Sequence, residues 1–310
     1  MDESDGDVIM IEPQWQRLWE KSAIGTKIEG GGLKFFPEEV IFAHIHRHQS
    51  LPHDNWINEN IINYPDLEDK YFMLEALRVP GNLIQLYPEN NASVGTWALR
   101  WHKEHHPDRD DPTSEIRWYR ARDDIEINEL LLWTISVVNN DRIPEVLVID
   151  DECSIVSYEL MIANPSGNVQ YDSTLEMTEW KNLGIHTRFR NRLNDIELSM
   201  VQQHEFTIHN TVLSDLISRG LAIRSGFKYG TLWRGYSSNV GDEHAPWLID
   251  TEVEAPINWT QACLNAGLAA GVNKKYAIAI TDRDNHVNSI QYLEIRRPPS
   301  YRRWTNLTRH

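Results

Sequence analysis

The sequence predicts a mixed α/β protein built as a tandem duplication, and three observations lead there. A chain of 310 residues exceeds what one hydrophobic core usually organises, so two units of roughly 150 residues are expected. Apolar runs with strand character alternate with runs of helical spacing. A set of segments also recurs in the same order in each half.

The recurrence is clearest in two strand pairs. Val146-Leu-Val-Ile-Asp150 passes through an acidic turn into Ile155-Val-Ser-Tyr-Glu-Leu160, and Ala277-Ile-Ala-Ile-Thr-Asp282 passes through a longer one into Ile290-Gln-Tyr-Leu-Glu-Ile295. Upstream, Gly95-Thr-Trp-Ala-Leu-Arg-Trp101 corresponds to Gly230-Thr-Leu-Trp-Arg-Gly-Tyr236, and Glu115-Ile-Arg-Trp118 is set against His244-Ala-Pro-Trp247. Turn-forming residues at Asn164-Pro-Ser-Gly167 mark the boundary between the copies.

In the second half, Val212, Leu213, Leu216 and Ile217 predict a helix over 212–219, stopped by Gly220 in a left-handed cap. Leu221–Arg224 reads as a strand, Ser225-Gly226 as a turn and Phe227–Trp233 as the returning strand. Asn258 or Thr260 caps a helix presenting Trp259, Ala262, Cys263 and Ala266 and ending at Gly271. A strand over Tyr276–Ile280 leaves Lys274 at the junction between helix and strand. In the first half a helix begins at Pro37, and its shortened counterpart is Leu193–Val201.

Composition narrows the class. With 41% apolar residues and 12 Trp there is ample core material. The acidic start lacks the order of a secretory signal, and the longest apolar stretch, near Leu130–Val138, is too short to span a bilayer; a cytoplasmic location is expected. Cys153 and Cys263 are too few and too far apart for a disulfide framework or a zinc knuckle. A net charge of −16 is unusual for a nucleic-acid enzyme, yet Arg296, Arg297, Arg302, Arg303 and Arg309 concentrate positive charge near the end.

Three residues of the second half, Tyr236, His244 and Lys274, stand opposite Trp101, Glu115 and Arg142, and only the second-half set suits proton transfer. The stretches Val212–Tyr236, Glu243-His-Ala-Pro-Trp-Leu-Ile249 and Val272-Asn-Lys-Lys-Tyr-Ala-Ile-Ala-Ile-Thr-Asp282 resemble, in order, the three motifs of the archaeal tRNA-splicing endonucleases. The resemblance is strong over Thr211–Arg297, with a degenerate echo over Tyr71–Met161, and the length is similar to that of the tandem-repeat, homodimeric form. It implies a small α/β N-terminal subdomain and a restriction-endonuclease-like catalytic subdomain, each present twice and degenerate in the first copy. The boundaries expected are 1–70, 71–165, 166–205 and 206–310.

The resemblance makes Tyr236, His244 and Lys274 the catalytic set, with Lys275 as the competing lysine. It implies metal-independent cleavage of precursor tRNA at bulge–helix–bulge sites, without a cofactor. The chemistry is coherent, because a 2′-hydroxyl can attack the adjacent phosphorus if a base, an acid and a cation are at hand. His244 is the acid, since imidazole titrates near neutrality. Tyr236 is the base; a free phenol titrates at about 10, so positive charge such as Lys274 must favour its phenolate. Lys274 also holds the developing phosphorane charge. The products are a 2′,3′-cyclic phosphate and a 5′-hydroxyl.

Arg296, Arg297, Arg302 and Arg303, with Tyr301 and Trp304, supply planes and rings for splayed bases. Seven residues before the catalytic lysine, where the family carries an Arg that clamps a bulge base, this chain has Gly267. The acidic turns Asp150-Asp151-Glu152 and Asp282-Arg-Asp284 resemble the family loop that docks into a neighbouring unit during assembly. The histidine groups His44, His46, His48 and His102, His105, His106 are not expected to bind metal, the first because alternate helical residues point apart. Two rival readings are a non-catalytic RNA-binding subunit, opposed by retention of all three residues, and a metal-dependent DNA nuclease of related fold, which requires clustered carboxylates on the central strands.

Overall fold

The structure is a computed structural model that describes residues 8–10, 15–88, 91–172, 174–177, 180, 182–202, 207–281 and 289–299. These divide into two compact units, one drawn mainly from residues 1–122 and 135–159, the other from 123–134 and 160–297.

Unit 1 opens with β1 (Val8–Met10), α1 (Trp15–Ser22), β2 (Thr26–Lys27) and β3 (Leu33–Phe35), the three strands forming a small sheet in the order β1-β3-β2. Then come α2 (Pro37–Arg47), α3 (Trp56–Asn63) and α4 (Leu67–Arg78). The longer strands follow as β4 (Leu83–Leu86), β5 (Ala98–Trp101), β6 (Ser114–Arg120), β7 (Ile143–Ile149) and β8 (Ile155–Ala163), with α5 (Ile127–Asn139) between β6 and β7; residues 127–134 of α5 and 160–163 of β8 belong to unit 2. Pro37 begins α2 as expected, its missing N–H falling where a helix has no internal acceptor. Leu33, Phe35, Met73, Leu74, Leu77 and Ile84 form the centre of this unit's core, all at most 1% exposed.

Unit 2 runs β9 (Ile185–His186), β10 (Asn191–Arg192), α6 (Asp195–Val201), α7 (Ile208–Ser218), β11 (Ala222–Ser225), β12 (Trp233–Tyr236), β13 (Trp247–Thr251), α8 (Trp259–Gly271), β14 (Lys275–Thr281) and β15 (Ile290–Arg296). The predicted helix over 212–219 starts earlier, because the Thr207 side chain caps it by accepting from the Asn210 N–H. Gly220 ends that segment at φ +76°, the left-handed conformation expected of it. The predicted returning strand over 227–233 is corrected: Phe227–Tyr229 form a 3₁₀ turn, and the strand begins at Trp233. Gly230 at φ +70° closes that turn and delays the strand. Asn258 caps α8, accepting from the Gln261 N–H, and Trp259, Ala262, Ala266 and Ala269 form its buried face.

The long strands of the two units share one pattern of pairing. In unit 1, β4-β5 and β5-β6 are antiparallel, β6-β7 parallel and β7-β8 antiparallel. In unit 2, β11-β12 and β12-β13 are antiparallel, β13-β14 parallel and β14-β15 antiparallel. The parallel pair in each requires a crossover, supplied by α5 and α8 respectively.

Register corrects one sequence correspondence. Trp101 and Tyr236 both end their strands, opposite Leu83 and Ala222, which both begin theirs. Ser114 pairs with Arg100 and Ile143, whereas Trp247 pairs with Gly235 and Lys275. Trp247 therefore matches Ser114, Lys274 matches Arg142, and His244 matches Asp111 rather than Glu115. The sequence comparison failed here because Trp118 and Trp247 invited alignment on a shared residue type, while backbone pairing sets the register.

A second likeness was illegible in sequence. Glu39 accepts from the Phe36 N–H at 3.2 Å and from the Gly25 N–H at 2.9 Å. Glu197 accepts from the Asn194 N–H at 2.9 Å and from the Gly184 N–H at 3.1 Å. In both units one buried glutamate thus closes a helix start onto a glycine with φ near +70° to +80° at the root of a small hairpin. No helix among the described residues is long and apolar enough to cross a membrane.

Candidate active site

β12 carries Tyr236 at its last position, where it shares a small buried cluster with Val169, Ala222 and Ala245. His244 follows in the exposed turn before β13, immediately ahead of Ala245. Lys274 stands between the end of α8 and the start of β14, as the sequence predicts, and its backbone N–H donates to the Ala269 carbonyl at 2.8 Å. The Lys274 ammonium donates to the Ala245 carbonyl. Ala245 is thus the meeting point: Tyr236 packs in its cluster, Lys274 holds its carbonyl, and His244 precedes it in the chain.

The adjacent lysine faces other partners. The Lys275 ammonium lies 4.8 Å from the centre of the Trp247 ring, and its charge with that of Arg296 opposes the upward push that burial exerts on the Glu294 carboxyl. Lys274 is partly buried where Lys275 is exposed.

Further cations surround the site that sequence reasoning did not single out. The Arg234 guanidinium lies 5.8 Å from the Tyr236 ring centre and 5.9 Å from that of Tyr229, and Lys274 lies 5.5 Å from the Tyr229 ring. Burial lowers the Lys274 ammonium below the usual lysine range, and the charge of Arg234 lowers it further. Burial likewise lowers the Arg224 guanidinium, against which Glu197, Tyr171 and Tyr236 act. An otherwise acidic chain therefore presents a local positive field at this edge. Strand alternation was the available signal, since Arg234 and Tyr236 two residues apart share a face of β12.

Behind the site, Asp250 on β13 accepts from the Leu232 N–H at 2.7 Å and from the Tyr276 hydroxyl at 2.9 Å. Burial nonetheless pushes its carboxyl up to about 6. These bonds tie β12, β13 and β14 together beneath the site.

The other predicted residues are placed as follows. Arg296 closes β15 and Arg297 follows it; Arg302 and Arg303 lie outside the described residues, as do Asp282 and Asp284. Asp150 turns inward on its own loop, accepting from the Glu152 and Ser154 N–H groups at 3.0 and 2.7 Å, while the exposed Asp151 pairs with Arg122 and Glu152 is exposed. A side chain at Gly267, on the exposed side of α8, would meet nothing within 4 Å. His46 is paired with Glu75 at 2.8 Å, His44 with the Gln49 carbonyl at 2.8 Å, and His106 with the Trp19 carbonyl at 3.0 Å. Among the described residues no group of three His, Cys, Asp or Glu side chains is arranged to hold a metal ion.

Comparison with known proteins falls on the same region. Residues 206–292 match the family model for the tRNA intron endonuclease, catalytic C-terminal domain. The tRNA-splicing endonuclease of Pyrococcus abyssi is 34% identical over 95 residues, 29% of this chain and 53% of that protein. That of Picrophilus torridus is 31% identical over 107 residues, 34% of this chain and 36% of that protein. For Hyperthermus butylicus the figures are 29% over 134 residues, 39% of this chain and 74% of that protein. The chain spans about half the length of the first curated relatives it matches. Residues 206–292, which contain Tyr236, His244 and Lys274, are thus the part of this chain that matches the tRNA intron endonuclease catalytic domain.

Proposed function

We infer that this protein is a tRNA-intron endonuclease, cutting precursor tRNA at bulge–helix–bulge splice sites without metal or cofactor. The observation that supports this reading is the Tyr236 phenol packed beside Ala245 and the Lys274 ammonium bonded to the Ala245 carbonyl, with His244 the preceding residue in the chain, inside the segment matching the catalytic domain. Tyr236 takes the proton of the attacking 2′-hydroxyl, and the 2′-oxygen forms a bond to phosphorus as the bond to the 5′-oxygen breaks. His244 gives a proton to that departing oxygen. Lys274, with Arg234 beside it, stabilises the charge that builds on the non-bridging oxygens. The products are a 2′,3′-cyclic phosphate and a 5′-hydroxyl.

The matching strand order of the two units supports a tandem duplication whose first copy has lost the catalytic set: Trp101, Asp111 and Arg142 occupy the places of Tyr236, His244 and Lys274. On this reading the divisions 1–70, 71–165, 166–205 and 206–310 are the two N-terminal and two catalytic-like subdomains. The protein works as a homodimer in the cytoplasm, the Asp150–Glu152 turn serves assembly, and Arg296 and Arg297, with Arg302 and Arg303, grip RNA.

The test is incubation of purified protein with a bulge–helix–bulge RNA in EDTA, followed by end-group analysis. Cleavage leaving a cyclic phosphate is the expected result. Cleavage that requires added Mg²⁺, or 5′-phosphate ends, overturns the mechanism; absence of cleavage with tight RNA binding supports a non-catalytic subunit instead.

A further inference from the structure

We propose that the β9–β10 hairpin of unit 2 is an RNA-binding finger that places arginines on phosphates and the Phe189 ring on an unpaired base. His186-Thr-Arg-Phe-Arg-Asn-Arg192 carries three arginines and no acid, in a chain whose net charge is −16. Arg188, Arg190 and Arg192 are all exposed, and Phe189 is 91% exposed at the tip. Single-stranded nucleic acid suits both an exposed ring and the arginines that flank it, offering base faces to stack and phosphates to pair.

The tip is built. The Thr187 hydroxyl donates to the Arg190 carbonyl at 2.7 Å and accepts from the Arg190 N–H at 3.1 Å, and the Thr187 N–H donates to the Arg190 carbonyl at 2.9 Å. At the root, Asn191 donates to the Leu183 carbonyl at 3.1 Å and Glu197 holds the Gly184 N–H. A short bridge joins this root to the catalytic edge. Asn182 donates to the Asn239 side chain at 2.9 Å, on the turn between Tyr236 and His244, and its carbonyl accepts from Arg224 at 2.8 Å.

The unit 1 hairpin shows what the fold alone requires. Between β2 and β3 the chain reads Ile28-Glu-Gly-Gly-Gly32, with neither arginine nor ring. Both hairpins keep the glycine and glutamate at the root, so the Arg-Phe-Arg tip is an addition particular to the unit holding the candidate active site.

The inference rests on RNA being the substrate, and the experiment separates its failure from failure of that reading. Binding of a fluorescent bulge–helix–bulge RNA, and of a fully paired duplex of equal length, is measured by anisotropy across a salt series. The full chain is used in a His244→Ala background, with wild-type cleavage assayed in parallel. Replacing Arg188, Arg190 and Arg192 together by Ala should weaken both RNAs by ~10-fold or more and reduce the salt slope by about one for each phosphate no longer held. Phe189→Ala should weaken the bulged RNA by roughly tenfold, leaving the salt slope and the duplex affinity within about twofold. Unchanged affinities and slopes in both variants overturn the finger, whether or not the wild type cleaves. Altered sedimentation without altered RNA affinity overturns it too, assigning the tip to another copy of the chain. Tip-dependent binding without wild-type cleavage sustains the finger and defeats the enzyme assignment alone.

Discussion

Arg142 and Lys274 occupy the same place in two copies of one strand pattern and face opposite circumstances. Arg142 is drawn inward, donating to Glu115 at 3.0 Å and to the Asn91 side chain at 2.9 Å, while Glu115 also accepts from Ser93 and Thr96. Its cation is consumed by a carboxylate with no solvent exposure. Lys274 meets a neutral carbonyl and the charge of Arg234, and among the described residues no carboxylate pairs with it. The difference teaches that one backbone junction can lock its cation into a buried ion pair when a carboxylate lies beside it, or leave the cation without that partner when none does.

The sharpest break in this comparison is reciprocal substitution. Lys274→Ala is expected to slow cleavage at least ~100-fold while costing under about 1 kcal/mol of stability, read by end-labelled RNA and by thermal melting. Tyr236→Phe and His244→Ala should also cut at least ~100-fold more slowly while still binding RNA. Arg142→Ala should do the reverse, costing about 3–5 kcal/mol because Glu115 is left buried and unpaired, with the protein that stays folded retaining its rate. Equal stability losses at the two positions would erase the distinction.

Asp250 sharpens it further, since the same register sets it against Arg117 of unit 1. Its carboxyl titrates at about 6 in the fold against 3.8 as the ordinary value, so the folded state holds the proton more tightly. Stability from this group is full below the ordinary value, falls as pH rises between about 4 and 6, and levels off above. Asp250→Asn should remove that slope, worth about 2 kcal/mol between denaturation stabilities measured at about pH 4.5 and about pH 7.5. A variant that keeps the wild-type slope would assign it elsewhere.

Further substitutions test the shared scaffold. Glu197→Ala should cost about 1–2 kcal/mol in chemical denaturation for its part in closing a helix start, and Glu39→Ala about 3–5 kcal/mol, because it also leaves the buried Arg78 guanidinium, 3.2 Å away, without its carboxylate. Gly267→Ala should raise stability by roughly 0.5–1 kcal/mol, because the position is helical and open. Gly267→Arg tests in addition whether an arginine there tightens the bulged RNA.

Much of this was legible in the order of residues. Asn258 and Gly220 act locally and mark helix limits from within a few positions, whereas the Thr207 cap, which starts α7 before the apolar spacing begins, was not read. Lys274 was placeable at its junction because α8 and β14 announce themselves by period. The strand at Trp233 was misread because the apolar run through Phe227 has strand composition, whereas Gly226 and Gly230 bend it into a turn. Arg224 and Arg234 escaped notice because an arginine in a strand is ordinary until its neighbours are known.

The sequence by itself determined the order of elements, the acidic balance with its local arginines, and which three side chains are the candidates for catalysis. Tertiary structure alone decided that His244 matches Asp111, that Glu115 neutralises Arg142, and that Lys274 rather than Lys275 turns towards Ala245. The physical reason is that caps and periodicities act over a few residues, while strand register and the sharing of a buried charge depend on partners tens of residues away, where a slip of one position sends every side chain to the other face.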